Sequence, residues 1–278
     1  MPTFETPEPL SATVEIEMGR ARIIAGKRTD TVVEVAPSDP GDKLDVQAAA
    51  DTKVTCAGGK LLVKGPKKRS LFGKIGSVDV TVELPAGSEL TGSTGLGELI
   101  GEGRFGDCRL TTAAGDIQLD EAAAVRLKTT HGDVVVDRTT GETEIQGSGR
   151  VRVGRIDGSA TIKNLNGETV IGEVGGELRV NSSNGPISVL RALSSVTAKT
   201  ASGSIRLDEV VRGRITLDSS AGGLEIGIAE GTAAWLDVRS TAGRVRNELG
   251  TADGPGQSEE TVEVRGRTSV GDIVIRRA

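Results

Sequence analysis

The sequence is nearly devoid of aromatic side chains, cysteine and histidine. Among its 278 residues it has no Tyr, three Phe, one Trp, one His and two Cys. Aromatic rings supply much of the buried volume of an ordinary core, so aliphatic side chains must fill the interior of this protein. A single His excludes metal sites built from several histidines, and the scarcity of aromatic stacking platforms disfavours binding of single-stranded nucleic acid. The composition favours a narrow, regular fold over a large irregular enzyme.

Net charge and the cysteines exclude further classes of protein. The chain carries 34 Lys and Arg against 39 Asp and Glu, a formal net charge of −5, which disfavours binding of nucleic acid by phosphate neutralisation. Cys56 and Cys108 lie far apart in dissimilar contexts, which indicates buried free thiols rather than a disulfide framework or a metal knuckle. The first nine residues do not resemble a signal peptide, and no stretch approaches the roughly 20 apolar residues of a membrane span. We therefore expect a soluble, cytoplasmic protein with no cofactor.

A repeat of about eighteen residues organises most of the chain. The unit is a Gly, a polar residue, and then alternating apolar and polar residues, as in Gly115 to Leu119 and Gly203 to Leu207. The marker glycines 97, 115, 132, 149, 167, 185, 203, 222 and 243 are separated by 18, 17, 17, 18, 18, 18, 19 and 21 residues. A further copy begins at Gly271, after a polar loop at residues 249–260. Near-constant spacing of this kind is typical of solenoids.

Two columns of residues keep a fixed distance from the marker glycines. Seven and five residues before each glycine stand apolar residues such as Leu178 and Val180, in the period-two alternation of a half-buried strand. Three residues before the glycine stands a polar column on the same face: Thr94, Thr112, Thr129, Gln146, Asn164, Ser182, Thr200, Ser219, Ser240 and Thr268. We expect this column to form an inward corner ladder whose side chains hydrogen-bond along the stack.

These patterns predict an all-β protein, a single-domain β-solenoid (parallel β-helix) with coils of about eighteen residues. Residues 1–90 are less periodic and read as a β meander that caps the solenoid, and residues 91–278 form the repeats. The cap includes a short helix or a loop between Asp39 and Thr52. At the other end, Arg276 and Arg277 are expected to place charge on the final strand.

The sequence resembles a bacterial family of β-strand-repeat proteins known as putative adhesins, most of which have no determined function. The resemblance lies in the strand, turn and strand from Val14 to Ile24, the strand from Thr31 to Val35, and the serial Ser/Thr-x-x-Gly-x-Ile-x-Leu units. It is similar to actinobacterial members without a signal peptide. The resemblance implies the same repeat fold, and it supplies no catalytic residues.

Candidate residues for chemistry are few. His131 occupies a repeat corner that elsewhere holds Ala, Asn or Ser, so it indicates a tolerated corner residue rather than a catalytic base. Glu98, Asp116 and Asp133 share one repeat position on successive coils, and two interpretations remain open: carboxylates splayed into water, or ligands of a cation. We expect no catalytic and no metal site.

A basic segment departs from the acidic background. It surrounds an apolar tip between Gly65 and Gly76, and its residues are Lys67, Lys68, Arg69, Leu71, Phe72 and Lys74. One interpretation is a solvated connection between strands, and the other is a docking loop for an acidic protein or, less favoured, an anionic membrane surface.

The sequence thus favours a non-enzymatic structural, scaffold or protein-interaction solenoid that binds a protein partner or self-associates. The alternative is an adhesin-like protein that binds carbohydrate or a cell surface.

Overall fold

The computed structural model describes residues 1–66, 76–250 and 260–278. Within these ranges the protein is all-β apart from one short helix, and its strands form the predicted parallel β-solenoid. The chain divides into two compact units, residues 1–137 and 138–278. The division at residue 90 between cap and repeats remains a prediction.

The first unit contains eleven strands and the helix, with the last strand running across the boundary. In chain order they are β1 Thr3–Glu5, β2 Ser11–Gly26, β3 Asp30–Pro37, α1 Lys43–Asp51, β4 Lys53–Ala57, β5 Lys60–Lys64, β6 Val78–Pro85, β7 Glu89–Phe105, β8 Cys108–Ala114, β9 Ile117–Ala122, β10 Val125–His131 and β11 Val134–Thr139.

Strand β2 is the first coil of this unit and has partners on both edges. On one side it runs parallel to β7 from Ser11 opposite Glu89 to Ala25 opposite Gly103. On the other side it runs parallel to β5 and then to β6. Strands β4 and β3 pair antiparallel with β5 and β6, and β1 pairs antiparallel with β3. Antiparallel strands from the predicted meander therefore lie beyond this coil.

Helix α1 is held against the same region by a buried carboxylate. Asp42 caps its amino end, accepting a hydrogen bond from the Leu44 backbone N–H at 2.7 Å. Asp45, in its first turn, accepts from the backbone N–H groups of Ser77 at 2.7 Å and Asp39 at 3.0 Å. One side chain thereby ties the segment that enters the helix to the segment that leads into β6.

The repeats stack in register at glycine corners. Strand β8 pairs with β7 and β10, and Thr112 lies between Thr94 and Thr129. Gly115 has φ of 138°, and a Cβ atom placed on it would lie 1.9 Å from the Gly97 carbonyl oxygen. Only glycine satisfies both conditions. The corner spacing is therefore a direct consequence of how closely adjacent coils approach each other.

The second unit contains the remaining strands. They are β12 Thr143–Gly147, β13 Val151–Ile156, β14 Ala160–Asn166, β15 Thr169–Val174, β16 Leu178–Asn184, β17 Ile187–Ala192, β18 Val196–Ser202, β19 Ile205–Val210, β20 Gly213–Ala221, β21 Leu224–Ile228, β22 Thr232–Ala242, β23 Val245–Asn247, β24 Glu260–Val270 and β25 Ile273–Arg277.

Even-numbered and odd-numbered strands of this unit form two parallel walls. One wall runs β12, β14, β16, β18, β20, and the other runs β13, β15, β17, β19, β21. The apolar columns point inward: Leu178, Val180, Ile187 and Leu207 are all 0% exposed. Aliphatic layers in register fill the space between the walls without aromatic rings.

The stacking order at the end of the chain differs from the sequence order. Strand β24 lies between β20 and β22, and β25 lies between β21 and β23. The outermost coil is therefore β22 and β23, and the last segment of the chain is inserted beneath it. Arg276 and Arg277 lie on β25, the final strand of the chain, but this strand has partners on both edges and is not the outermost one.

The polar column also requires one correction. In the coil of Gly149, Gly147 rather than Gln146 aligns with Asn164 of the next coil, and Gln146 aligns with Lys163. Gln146 is half-buried and its amide donates to Glu144 at 3.0 Å. This coil is one residue shorter before its marker glycine, so counting back from the glycine misplaces the column by one position.

Candidate binding surface

The predicted corner ladder bonds to the backbone rather than along itself. The hydroxyls of Thr112, Thr129, Thr200, Ser219 and Thr268 each donate to the carbonyl oxygen of a marker glycine in an adjacent coil, at 2.8 to 3.4 Å. Ser240 donates in the same way to Gly271 at 2.8 Å. Each hydroxyl satisfies a carbonyl that the corner turns away from the strand ladder. These contacts give the column a role in joining coils.

Three ladder members are incompletely satisfied, among them Thr94, whose hydroxyl is buried without a partner among the described residues. The Asn164 amide donates to the carbonyl oxygen of Gly149 at 2.9 Å and to Thr169 Oγ1 at 3.2 Å, but its Oδ1 is buried without a partner among the described residues. The Ser182 hydroxyl is likewise buried and without a partner there. The ladder is a structural element and presents little to a ligand.

The acidic row of the first unit is occupied by contacts within the protein. Arg20 Nε lies 2.8 Å from Glu98 Oε2, and Asp116 Oδ1 accepts from the backbone N–H of Asp133 at 2.7 Å. Across residues 1–66, 76–250 and 260–278, no three His, Cys, Asp or Glu side chains are grouped so as to hold a metal ion. These contacts compensate the charge of Glu98 and orient Asp116.

His131 and the two cysteines lie apart from one another. His131 is exposed at its corner, in register with Ala114. Burial, assisted by Asp107, raises the pKa of the Cys108 thiol to about 12, and burial also raises the pKa of Cys56. Both thiols are therefore protonated at neutral pH, which makes them poor nucleophiles.

The predicted docking loop lies outside the described residues. This applies to all six of its named positions: Lys67, Lys68, Arg69, Leu71, Phe72 and Lys74.

A groove on the wall of the second unit is a candidate binding surface that the sequence did not single out. It has a volume of about 480 Å³ and crosses five adjacent strands, β16, β18, β20, β24 and β22. Seven hydroxyl side chains line it, together with three cations, one carboxylate and an alanine: Ser182, Thr200, Ser219, Ser220, Thr241, Thr268, Ser269, Lys199, Arg239, Arg267, Asp218 and Ala201.

Charges in the groove form a single column across the strands. Lys199 Nζ pairs with Asp218 at 3.1 Å, and Arg267 pairs with Asp237 at 2.6 Å. Arg239 is exposed and has no hydrogen bond or ion pair within the described part of the chain. One guanidinium therefore remains available to a ligand, beside hydroxyl groups that donate and accept.

Small residues open this groove. Ala201, Ser220 and Ser269 occupy the position two residues before their marker glycines and leave space above the wall. The spacing of the glycines contained part of this signal. The glycine spacing could not show which charged residues lie side by side, however. Arg267 lies between Asp218 and Arg239 only because β24 is inserted between β20 and β22.

Comparisons with known proteins find solved structures of low identity and low TM-score. No protein-family model and no curated protein sequence matches the chain. A solved structure described as a putative adhesin from Parabacteroides merdae is 12% identical, with a TM-score of 0.41 over 80% of this chain and 95% of that one. A second putative adhesin, from Parabacteroides distasonis, is 14% identical, with a TM-score of 0.42 over 80% and 94%.

A third structure, described as a putative lipid binding protein from Parabacteroides distasonis, is 14% identical with a TM-score of 0.32, over 98% of this chain and 95% of that one. Among the described residues, no helix has the length and hydropathy needed to cross a bilayer.

Proposed function

We propose that this chain is a non-catalytic interaction protein that holds a segment of a partner protein in the groove between β18 and β22. The observation that carries the proposal is the groove itself, with a column of three cations and one carboxylate among seven hydroxyls on in-register strands. Its walls are fixed by backbone pairing on both sides of β18, β20 and β24. A preorganised surface of this kind loses little conformational freedom on binding.

Chemistry in the groove favours an acidic, extended protein segment. Lys199 and Arg267 are already paired with carboxylates, whereas Arg239 is not. A carboxylate of the partner can accept two parallel hydrogen bonds from the Arg239 guanidinium, and the hydroxyls can bond the partner's backbone.

The proposal includes the family and the location. The strand patterns from Val14 to Ile24 and from Thr31 to Val35 support membership of the bacterial β-strand-repeat family. A scaffold that acts on cytoplasmic partners is the expected role, and fractionation of cells that express the tagged chain tests the location.

Filling the groove tests the interaction. Ala201→Trp places a large side chain at an exposed position that lines the groove. Ala113→Trp is the matched control, since Ala113 is exposed two residues before the marker Gly115 of the first unit. Purified chains are immobilised, incubated with lysate of the source organism and compared by quantitative mass spectrometry. Partners should be recovered by wild type and Ala113→Trp and lost with Ala201→Trp; an unchanged set of partners contradicts the proposal.

Binding of carbohydrate is the second candidate, and the seven groove hydroxyls favour it. Together with Arg239 they can bond the hydroxyl and carboxylate groups of an acidic glycan. This function predicts glycan-array signals that Ala201→Trp abolishes, and a surface-exposed chain in cells. A signal confined to protein partners rejects it.

A further inference from the structure

The outermost coil of the second unit, β22 and β23, has the properties of an interface. Strand β22 pairs with β24 along one edge, and no strand of the described residues pairs with its other edge. This strand is eleven residues long, and the N–H and C=O groups of its alternate residues point to the free edge. An edge of this length is a template for another strand.

Apolar side chains that are buried in every inner coil are open to solvent here. Leu236 stacks on Val264, which stacks on Ile215; Val264 and Ile215 are 0% exposed, whereas Leu236 is half-buried. Val238 is also half-buried, and Val245 on β23 is 46% exposed. Trp235, the only tryptophan, lies on the outward face, in register with Glu263, and is 56% exposed. Among the described residues, the interior layer is therefore only partly covered at this coil.

We propose that this edge pairs with the same edge of a second copy of the chain, through two antiparallel β22 strands related by a two-fold axis at Val238. Charge selects this occupant. Asp237 and Arg239 both point outward from β22, and in this register Asp237 of each copy lies opposite Arg239 of the other. The unpaired Arg239 gains a carboxylate, and the contact occurs twice.

Neighbouring registers are disfavoured. A shift of the pairing by one residue turns outward side chains inward. The two nearest registers that keep the correct faces place either Asp237 opposite Asp237 or Arg239 opposite Arg239. Like charges directly opposite each other are destabilising. Charge repulsion in these two alternative registers therefore favours the register centred on Val238. This register also packs Leu236 and Val238 against the open apolar layer of the second copy.

A closed dimer follows rather than a filament. A two-fold interface uses the same surface on both copies and leaves no free edge for a third. Strand β2, the first coil of the other unit, has strands on both edges and offers no equivalent site. Arg239 also lines the groove, so a groove-bound carboxylate and Asp237 of the second copy compete for it; the dimer rests on the open edge of β22 and not on the proposed function.

Complementary charge reversal tests the dimer. Analytical ultracentrifugation of the wild type over the micromolar range should show a rise from the 28.7 kDa monomer to twice that mass. In a dimer of the Arg239→Asp variant, the new aspartate of each copy lies opposite Asp237 of the other copy. In a dimer of the Asp237→Arg variant, the new arginine of each copy lies opposite Arg239 of the other copy. Each variant alone should weaken dimerisation by about tenfold or more. An equimolar mixture restores both oppositely charged pairs and should form heterodimers.

Controls separate this result from misfolding and from failure of the groove. Lys163→Asp changes the exposed residue at the same repeat position of β14, whose edges are both paired, and should dimerise like wild type. Ala201→Trp should also dimerise, so loss of partners from the groove and loss of the dimer are independent outcomes. Circular dichroism checks that each variant is folded, and hydrogen exchange checks that β22 amides gain protection with concentration.

Three results overturn the inference: a wild type that remains monomeric throughout the series, an Arg239→Asp variant that dimerises as wild type does, or folded single variants whose mixture stays monomeric.

Discussion

In the first unit the coil β2 lies between β7 on one edge and β5 and β6 on the other, whereas in the second unit the coil β22 has β24 on one edge alone among the described strands. Ile23 of β2 is 0% exposed, but Leu236 of β22 is half-buried. Both coils alternate apolar and polar residues. Whether an apolar layer is buried therefore depends on which strands pack over it, and not on the alternation of apolar and polar residues in its own coil.

The comparison shows what a solenoid requires at its ends. Each coil buries its interior against neighbours, so the outermost layer must be covered by something else. In the first unit β5 and β6 pair with β2, and the antiparallel strands β4 and β3, which do not continue the repeat, lie beyond them. In the second unit the proposed cover is another copy of the chain.

The contact between β2 and its cover should give the largest effect. Gly19 has φ of 122°, and a Cβ atom on it would lie 2.0 Å from the Val78 carbonyl oxygen of β6. We expect Gly19→Ala to lower the free energy of unfolding by more than about 3 kcal/mol, because it forces β6 away from β2. Urea unfolding measures the loss. Gly250→Ala is the control, since no atom lies within 4 Å of its added Cβ; equal midpoints for the two variants contradict the clash.

Truncation inside the covered coil comes next. Ile23→Ala removes a side chain that is 0% exposed. We expect a loss of about 2–5 kcal/mol from the free energy of unfolding, since transfer and cavity terms add in a packed core. Chemical denaturation with a fixed m-value checks it, and a loss below about 1 kcal/mol shows that the cover over β2 opens in solution.

The same type of truncation in the open coil should cost less. Leu236 is half-buried, so Leu236→Ala loses less transfer free energy and leaves no closed cavity. We expect a loss of less than about 2 kcal/mol, measured at a protein concentration at which the wild type is monomeric. If Leu236→Ala lowers the free energy of unfolding as much as Ile23→Ala does, then β22 is covered within the monomer. The contrast between the coils β2 and β22 is then wrong.

The smallest effect concerns an ion pair that joins β2 to β7. Arg22 donates twice to Glu102, at 2.7 and 2.9 Å, and this lowers the pKa of Glu102 from its ordinary value of 4.5. A lowered pKa in the folded state contributes stability above pH 4.5 that is lost as the pH falls through the folded value.

Glu102→Gln should therefore unfold at slightly lower urea than wild type at neutral pH, with the two curves converging in acid. Both side chains are more than one-third exposed, so solvent screens the pair and the difference is small. A gap that persists or widens in acid contradicts this assignment of the pKa shift.

Much of the fold could be predicted from local pattern. The period-two alternation and the glycine spacing specify strands and corners within each coil, because a strand face and a positive φ depend on neighbouring residues in the chain. Gln146 marks the limit of this approach, since a coil one residue shorter displaced the column and only pairing with β14 revealed Gly147 in its place.

The candidate groove could be predicted only in part. Ala201, Ser220 and Ser269 share a repeat position that the sequence makes visible. These residues line one groove with Arg239 because β24 brings Arg267 beside Asp218, and the order of strands in the sequence does not predict this pairing. The partners of Asp237 illustrate the same limit, because Arg267 reaches it from a strand that comes later in the chain but lies deeper in the stack.

The sequence by itself determined the coil: its length, its glycine corners, its aliphatic layers and the hydroxyl column, all set by steric and hydrophobic requirements repeated within about eighteen residues. The tertiary structure decided the order of the coils at the end of the second unit. Coils with the same pattern offer the same edges and the same apolar layer, so β24 fits on β20 as β22 would. Local sequence cannot choose between equivalent neighbours, and the choice made here leaves Trp235, Leu236 and Arg239 on an open edge.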